Sequence, residues 1–214
     1  SVEVATTPER LEYLSRRLEF AHAWGFTDNA LIDPGECTRR NPLLDASTIL
    51  GGYATTGEGI GKALRGAEAQ GRRAMAGGAT FVGNAIVESI VQVDGRVVGV
   101  MVNGVLEPAD TVVLAAGAWG HRLAATAGVT LPLVAMEHQY AVTESLPELA
   151  EHADRDASVP FVRHWDGGIY VRNEGDRAGI GSFNHRAIPV TPDVMEHGTD
   201  RRRDPSIFDF TPDD

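Results

Sequence analysis

The chain has 214 residues, of which 43 % are hydrophobic and 23 % charged, close to the globular norm and far from disordered, collagen-like or coiled-coil compositions. Thirty acidic against nineteen basic residues leave a net charge of −11, the wrong sign for tracking a phosphate backbone or an anionic lipid surface. A lone cysteine, Cys37, allows neither an intrachain disulfide nor a cysteine-built zinc site. No apolar run approaches the ~20 residues of a membrane helix, and Ser1-Val2-Glu3-Val4 has no signal-peptide character. These features point to a folded cytoplasmic protein with no nucleic-acid, membrane or metal partner. The length suits one domain or two incomplete halves of something larger.

In chain order, Thr6-Thr7-Pro8-Glu9 reads as a helix start, with Pro8 in the first turn and Glu9 three residues after Thr6 as in a capping box. Leu11, Leu14, Leu18 and Ala21 then carry the helix to about Trp24. A short helix is predicted between Pro34 and Pro42, with Leu43 and Leu44 docking it and Cys37 packed inside. The glycine cluster at 51–61 is expected to be a turn leading into a helix, not a phosphate cradle. A dinucleotide fingerprint from Gly57 needs a third glycine where Lys62 stands, and a P-loop ending at Gly61-Lys62 needs a glycine at Thr56 and a hydroxyl at Ala63. The helix is predicted from Ile60 to about Met75, leaving through Gly77-Gly78.

From Thr80 to Leu114 the chain turns to Val and Ile, broken by the tight-turn dipeptides Asp94-Gly95 and Asn103-Gly104. Three antiparallel strands are predicted, near 83–93, 96–102 and 105–108. Thr111–Ala116 is apolar without alternation, as expected of a strand buried on both faces; it ends at Gly117 and feeds a short helix from Trp119 to about Ala127. Further strands are expected in 133–143, 160–165, 169–173 and 178–183, with a turn at Asp166-Gly167-Gly168. Beyond Pro189 the composition reads as a tail, in which Arg201-Arg202-Arg203, flanked by Asp200 and Asp204, is a solvated run. The seven histidines show no metal-ligand spacing, and no Gly-x-Ser-x-Gly elbow is present.

The block Val112-Val113-Leu114-Ala115-Ala116-Gly117-Ala118-Trp119 resembles the strand-to-helix turn of the glycine oxidase, D-amino-acid oxidase and sarcosine oxidase superfamily of flavoproteins. In that superfamily the turn passes close to FAD. Small residues at Ala116 and Gly117 suit close backbone approach to a bulky cofactor, and the helix start at Trp119 offers N–H groups. Pro132–Tyr140, with Met136-Glu137-His138-Gln139-Tyr140 at its end, is similar to the dimethylglycine oxidase, dimethylglycine dehydrogenase and sarcosine dehydrogenase branch. So are Pro160–His164, Gly168-Ile169-Tyr170, Gly175–Phe183 and the opening Ala5–Arg10. The resemblance runs over most of residues 4–190.

It implies FAD as cofactor and a small N-methyl amino acid as partner, the reaction being oxidative demethylation of a glycine such as dimethylglycine or sarcosine. His138 and Tyr170 are implied to face the substrate amine beside the flavin, and Val87 to meet the adenine end of FAD with its backbone. His185 lies near a position where sarcosine oxidases carry an active-site histidine. The fold class implied is α+β with an α/β remnant: a mixed, largely antiparallel substrate-domain sheet plus a three-stranded β-meander from an incomplete FAD domain. Residues 1–55 and 129–190 would be substrate-domain parts, 56–128 the partial FAD domain, and 191–214 the tail. The superfamily's opening Gly-x-Gly-x-x-Gly unit and closing Gly-rich segment find no match, so the sequence is expected to be the middle of such an enzyme. A second chain supplying the rest of the FAD site, or a non-catalytic subunit that binds a small carboxylate, is the alternative.

Overall fold

The structure, a computed structural model, describes residues 1–191, so the tail with its arginine run lies outside the described residues. The elements in chain order are β1 (Val2–Ala5), α1 (Pro8–Ala23), β2 (Asn29–Ile32), α2 (Pro34–Arg40), β3 (Gly51–Thr55), α3 (Ala63–Ala76), β4 (Val87–Val93), β5 (Arg96–Val102) and β6 (Val105–Pro108). They continue with α4 (Gly120–Thr126), β7 (Ala135–Met136), β8 (Tyr140–Val142), β9 (Val162–His164), β10 (Ile169–Glu174), β11 (Arg177–Ser182) and β12 (Pro189–Val190). Contacts divide them into two units. One holds Ser1–Gly61 with His138–Arg186; the other holds Lys62–Glu137 with the described residues from Ala187 on.

The first unit is built on a seven-stranded sheet in the order β2-β3-β1-β9-β10-β11-β8. Its pairs are antiparallel apart from β1 with β9. Because successive side chains on a strand point to opposite faces, the register separates a dry face from a polar one. Val2, Val4 and Val162 pack on the dry face with Cys37 and Ile49, and Ala178 joins Leu149 and Val159. On the other face Ala5 and Tyr53 meet Leu11, Leu14 and Leu18 of α1. Residues paired across strands share a face. The pairs Glu3↔Arg163, Arg163↔Tyr170, Tyr170↔Gly181 and Gly181↔Tyr140 therefore continue this second face across the sheet.

Local chemistry explains the helix ends. Thr7, not Thr6, caps α1, its hydroxyl accepting from the Arg10 N–H with Pro8 in the first turn. Thr6 instead meets His164 Nε2 at 3.2 Å. Asp33 caps α2 by accepting from the Glu36 N–H, and the helix stops at Arg40 ahead of the Asn41-Pro42 step.

The glycine cluster departs from the sequence reading. Gly51 and Gly52 lie within β3, next to the chain's first strand. A Cβ on Gly52 would stand 2.8 Å from Cys37 Sγ and 3.1 Å from Val2 Cγ1. Glycine is there to let α2 sit tightly on the sheet, not to turn the chain. Helix α3 starts at Ala63 instead of Ile60, since glycine is a poor helix former, and leaves through Gly77 and Gly78, the latter at φ +97°.

In the second unit β4, β5 and β6 form the expected antiparallel meander. Asp94-Gly95 and Asn103-Gly104 all have positive φ, as a type I′ turn demands. Thr111–Ala116, expected as a doubly buried strand, is not one. No described strand pairs with it, and Val113 is 84 % exposed; an apolar run without ladder partners has nothing to hold it in a sheet. The stretch 133–143 is likewise not continuous: β7 pairs with β12, whereas β8 pairs with β11. The class is thus mixed, with a largely antiparallel seven-stranded sheet and a separate three-stranded one. No helix of the described residues is long and apolar enough to cross a membrane.

Asn173, on the dry side of β10 and 3 % exposed, is the polar anchor of the first unit. Its amide nitrogen donates to Arg155 O, Ser158 Oγ and Gly175 O, and its Oδ1 accepts from the Val159 N–H. Replacing a buried group that satisfies so many partners strands them. Asn173→Ala should cost roughly 2–4 kcal/mol, read as a lower urea midpoint with an unchanged m-value; a loss within experimental error would show that the anchor is dispensable.

Candidate functional site

Strand β10 positions the site. Alternation sends Val171 and Asn173 into the dry core, and leaves Tyr170, Arg172 and Glu174 on the opposite face. Tyr170 OH lies 2.9 Å from His138 Nε2, in the segment just before β8. The two rings stack at 5.7 Å and 17°. Phe183 lies against His138 at 4.6 Å, Phe161 lies parallel to Tyr170 at 5.7 Å, and Trp165 faces Phe183 at 6.4 Å. Two hydrogen bonds join the end of β11 to the Trp165–Gly168 turn, which brings these last two rings together. The Phe183 N–H donates to Gly168 O at 2.7 Å, and Asn184 Nδ2 donates to Gly167 O.

These residues, with Arg163 and Ile169, line a cavity of about 290 Å³, near the lower end of small-molecule sites. Its walls are aromatic, and His138, Tyr170 and Arg163 supply the polar groups. The Arg163 guanidinium lies 5.0 Å over the Phe161 ring and donates to Glu58 at 2.9 Å. A cationic amine enclosed by such faces gains cation–π attraction, and a guanidinium at the rim suits a carboxylate.

A second tyrosine supports the first. Tyr140 stacks on Tyr170 at 6.2 Å, donates to Glu174 Oε1 at 2.6 Å and accepts from Arg172 Nε at 2.9 Å. Arg172 also reaches Glu174 at 2.8 Å. Burial and this donation push Tyr140 up to about 12, while the Tyr140 hydroxyl and then Arg172 hold Glu174 below the usual carboxylate range. Beneath the rings lie the glycines of β11: a Cβ on Gly179 would overlap the Tyr140 hydroxyl, and one on Gly181 would overlap the Tyr170 ring.

Among the residues read from the sequence, His138, Tyr170 and His185 are brought together. The His185 ring lies 5.8 Å from that of His138, and its Nδ1 bonds to Arg186 O at 2.7 Å. Val87, Ala116, Gly117 and Trp119 lie in the second unit. Val87 opens the meander opposite Val102. Gly117 has φ +52°, with open space where a side chain would stand, in the turn between Ala116 and Trp119. That open, left-handed turn fits close approach by a bulky flat cofactor. Sequence reading passed over Arg163, Tyr140, Arg172 and Glu174, although Arg172 and Glu174 follow Tyr170 at the period of two that marks a shared face.

Burial, followed by the nearby charge of His185, lowers the His138 pKa from its ordinary value. The imidazole is therefore neutral at pH 7 and able to take a proton. Assigned to the Nδ1–H tautomer, it accepts from the Tyr170 hydroxyl at Nε2. His185→Gln should move the His138 midpoint upward by removing the like charge, as read from imidazole NMR signals across pH; an unmoved midpoint would refute the coupling.

Residues 1–210 match the family model described as FAD dependent oxidoreductase, DAO. The chain is 28 % identical over 190 residues to mitochondrial sarcosine dehydrogenase of Mus musculus, covering 86 % of this chain and 20 % of that protein. It is 28 % identical over 202 residues to mitochondrial dimethylglycine dehydrogenase of Rattus norvegicus, covering 92 % and 23 %. In three dimensions it is similar to glycine oxidase from Geobacillus kaustophilus, with a TM-score of 0.65 and 26 % identity over 89 % of this chain and 48 % of that one. It spans about a fifth of the length of the two dehydrogenases. With the family model matched from Ser1 to Phe210 and the same fold found in glycine oxidase, the chain belongs to the DAO family of FAD-dependent oxidoreductases.

Proposed function

We propose that this chain is the substrate-facing part of an FAD-dependent enzyme that oxidatively demethylates an N-methylated glycine such as dimethylglycine or sarcosine. The observation that carries the reading is the 2.9 Å His138–Tyr170 contact inside an aromatic cavity sized for a small molecule. The similarity to a sarcosine dehydrogenase and a dimethylglycine dehydrogenase supports the same reading. Residues 1–55 and 129–190 would act on the substrate side and 56–128 on the cofactor side; Val87, Ala116, Gly117, Trp119 and Tyr170 would hold FAD, and His138 and Tyr170 would face the amine.

The chemistry requires the amine lone pair. The Tyr170 hydroxyl, which donates to Nε2 of the neutral His138, orients the amine by accepting from its ammonium, and as it takes that proton it passes its own to Nε2. Arg163 pairs with the substrate carboxylate, while Phe161, Trp165 and Phe183 surround the N-methyl groups and keep bulk water away. FAD, when bound, supplies the two-electron acceptor for oxidation of the N-methyl carbon. Burial, with His185 beside it, favours the neutral form of His138.

A purified flavin-loaded protein should bleach on adding dimethylglycine or sarcosine under anaerobic conditions, with formaldehyde as product. His138→Ala and Tyr170→Phe should lower kcat/KM, the former by about 10²-fold or more, without changing the melting temperature by more than a few degrees. Activity should fall on the acid side with a midpoint below the ordinary imidazole value of about 6.5, because protonated His138 no longer accepts. Wild-type turnover in both variants would overturn the assignment of His138 and Tyr170. Colourless protein that binds the amino acid without flavin would favour a non-catalytic subunit.

A further inference from the structure

We infer that Gly181 is a positioning residue for the His138–Tyr170 pair: by having no side chain it lets the Tyr170 ring lie across β11 and carry its hydroxyl to the imidazole. For the identity of the substrate, and for that alone, the inference rests on the function proposed above.

Glycine in a strand interior weakens the strand, so two of them in one six-residue strand need a reason. Backbone geometry supplies none, since neither Gly179 nor Gly181 has a positive φ. Space supplies it. Gly181 is paired with Tyr170 on one side and Tyr140 on the other. A Cβ there would overlap Cζ, Cε1 and the hydroxyl of Tyr170. A Cβ on Gly179 would overlap the Tyr140 hydroxyl and stand 2.8 Å from Glu174 Oε1.

Aromatic cover over a strand glycine can be purely stabilising. Here the covering ring is also the one that bonds His138, at 2.9 Å. The atoms in the way belong to the far end of a side chain with two torsions, while the backbone at Gly181 is ordinary extended strand. An added methyl group therefore moves the phenol and leaves the strand in place. Tyr140, fixed by Arg172 and Glu174, blocks one direction of escape, so the displaced ring loses its reach to His138.

The test uses the full chain and reads three quantities: far-UV circular dichroism with melting temperature, the His138 NMR titration, and dimethylglycine binding by calorimetry. Gly181→Ala should keep the wild-type spectrum and melt within a few degrees of it. Its His138 midpoint should rise, since the phenol donor that favours neutral imidazole is gone, and should coincide with that of Tyr170→Phe. Dimethylglycine affinity should fall roughly tenfold, the loss of one hydrogen bond. A wild-type midpoint and affinity in Gly181→Ala would overturn the inference.

If Gly181→Ala does not fold, the double variant Gly181→Ala/Tyr170→Ala decides. Recovery of folding supports a clash with the ring, and continued failure overturns the positioning role in favour of a backbone demand. If the wild-type chain binds no dimethylglycine and the midpoint still rises in Gly181→Ala, the positioning role stands and the proposed substrate is wrong.

Discussion

The strict alternation of Ile169–Glu174 ties the core and the candidate site to a single strand. Val171 and Asn173 hold it to the dry layer, the one by apolar packing and the other by four hydrogen bonds. The residues between them, Tyr170, Arg172 and Glu174, are thereby fixed in direction on the opposite face. A one-residue slip would exchange the two sets, burying a guanidinium and a carboxylate and exposing the anchor. The polar face is thus specified by what lies behind it, and its geometry is as firm as the core.

That face is graded along the sheet. At the β1 and β3 end it is covered by α1, whose leucines meet Ala5 and Tyr53. The buried carboxylate of Glu3 pairs there with Arg17 at 2.5 Å. Toward β10 and β11 the cover ends, and rings with half their surface exposed, Trp165 and Phe183 among them, take its place. An exposed aromatic patch of this kind marks a binding surface in soluble proteins. Its position beside the His138–Tyr170 contact places apolar walls, an imidazole and a phenol within one small cavity.

Much of this was legible in the sequence wherever a local signal carried it. Pro8 and Pro34 mark the two helix starts, and Asp94-Gly95 and Asn103-Gly104 mark the hairpins, because each needs only neighbouring residues to act. Strands β1, β2 and β3 were missed: four residues such as Asn29–Ile32 are too short to show a period, and the glycines of β3 mimic a turn. Their reason for being glycine, the thiol of Cys37 and the side chain of Val2, comes from elsewhere in the chain. The error at Thr111–Ala116 is of the opposite kind, since composition shows that a segment is apolar but not whether a partner strand exists. His138 and Tyr170 emerged only through resemblance, being 32 residues apart with no spacing rule to join them. Arg163 and Tyr140 depend on cross-strand register, which no local pattern encodes.

The thiol of Cys37 adds a use of its own. It is fully enclosed between α2 and the sheet, packed over Gly52, and burial lifts its pKa to about 11. Little thiolate forms at neutral pH, and no reagent can reach the sulfur while α2 is seated. Alkylation of the native chain is therefore gated by opening of that helix, which makes its rate a clock for local unfolding on the dry side of the sheet. A cysteine introduced at an exposed position can then be labelled alone, with the native sulfur silent as long as the fold holds.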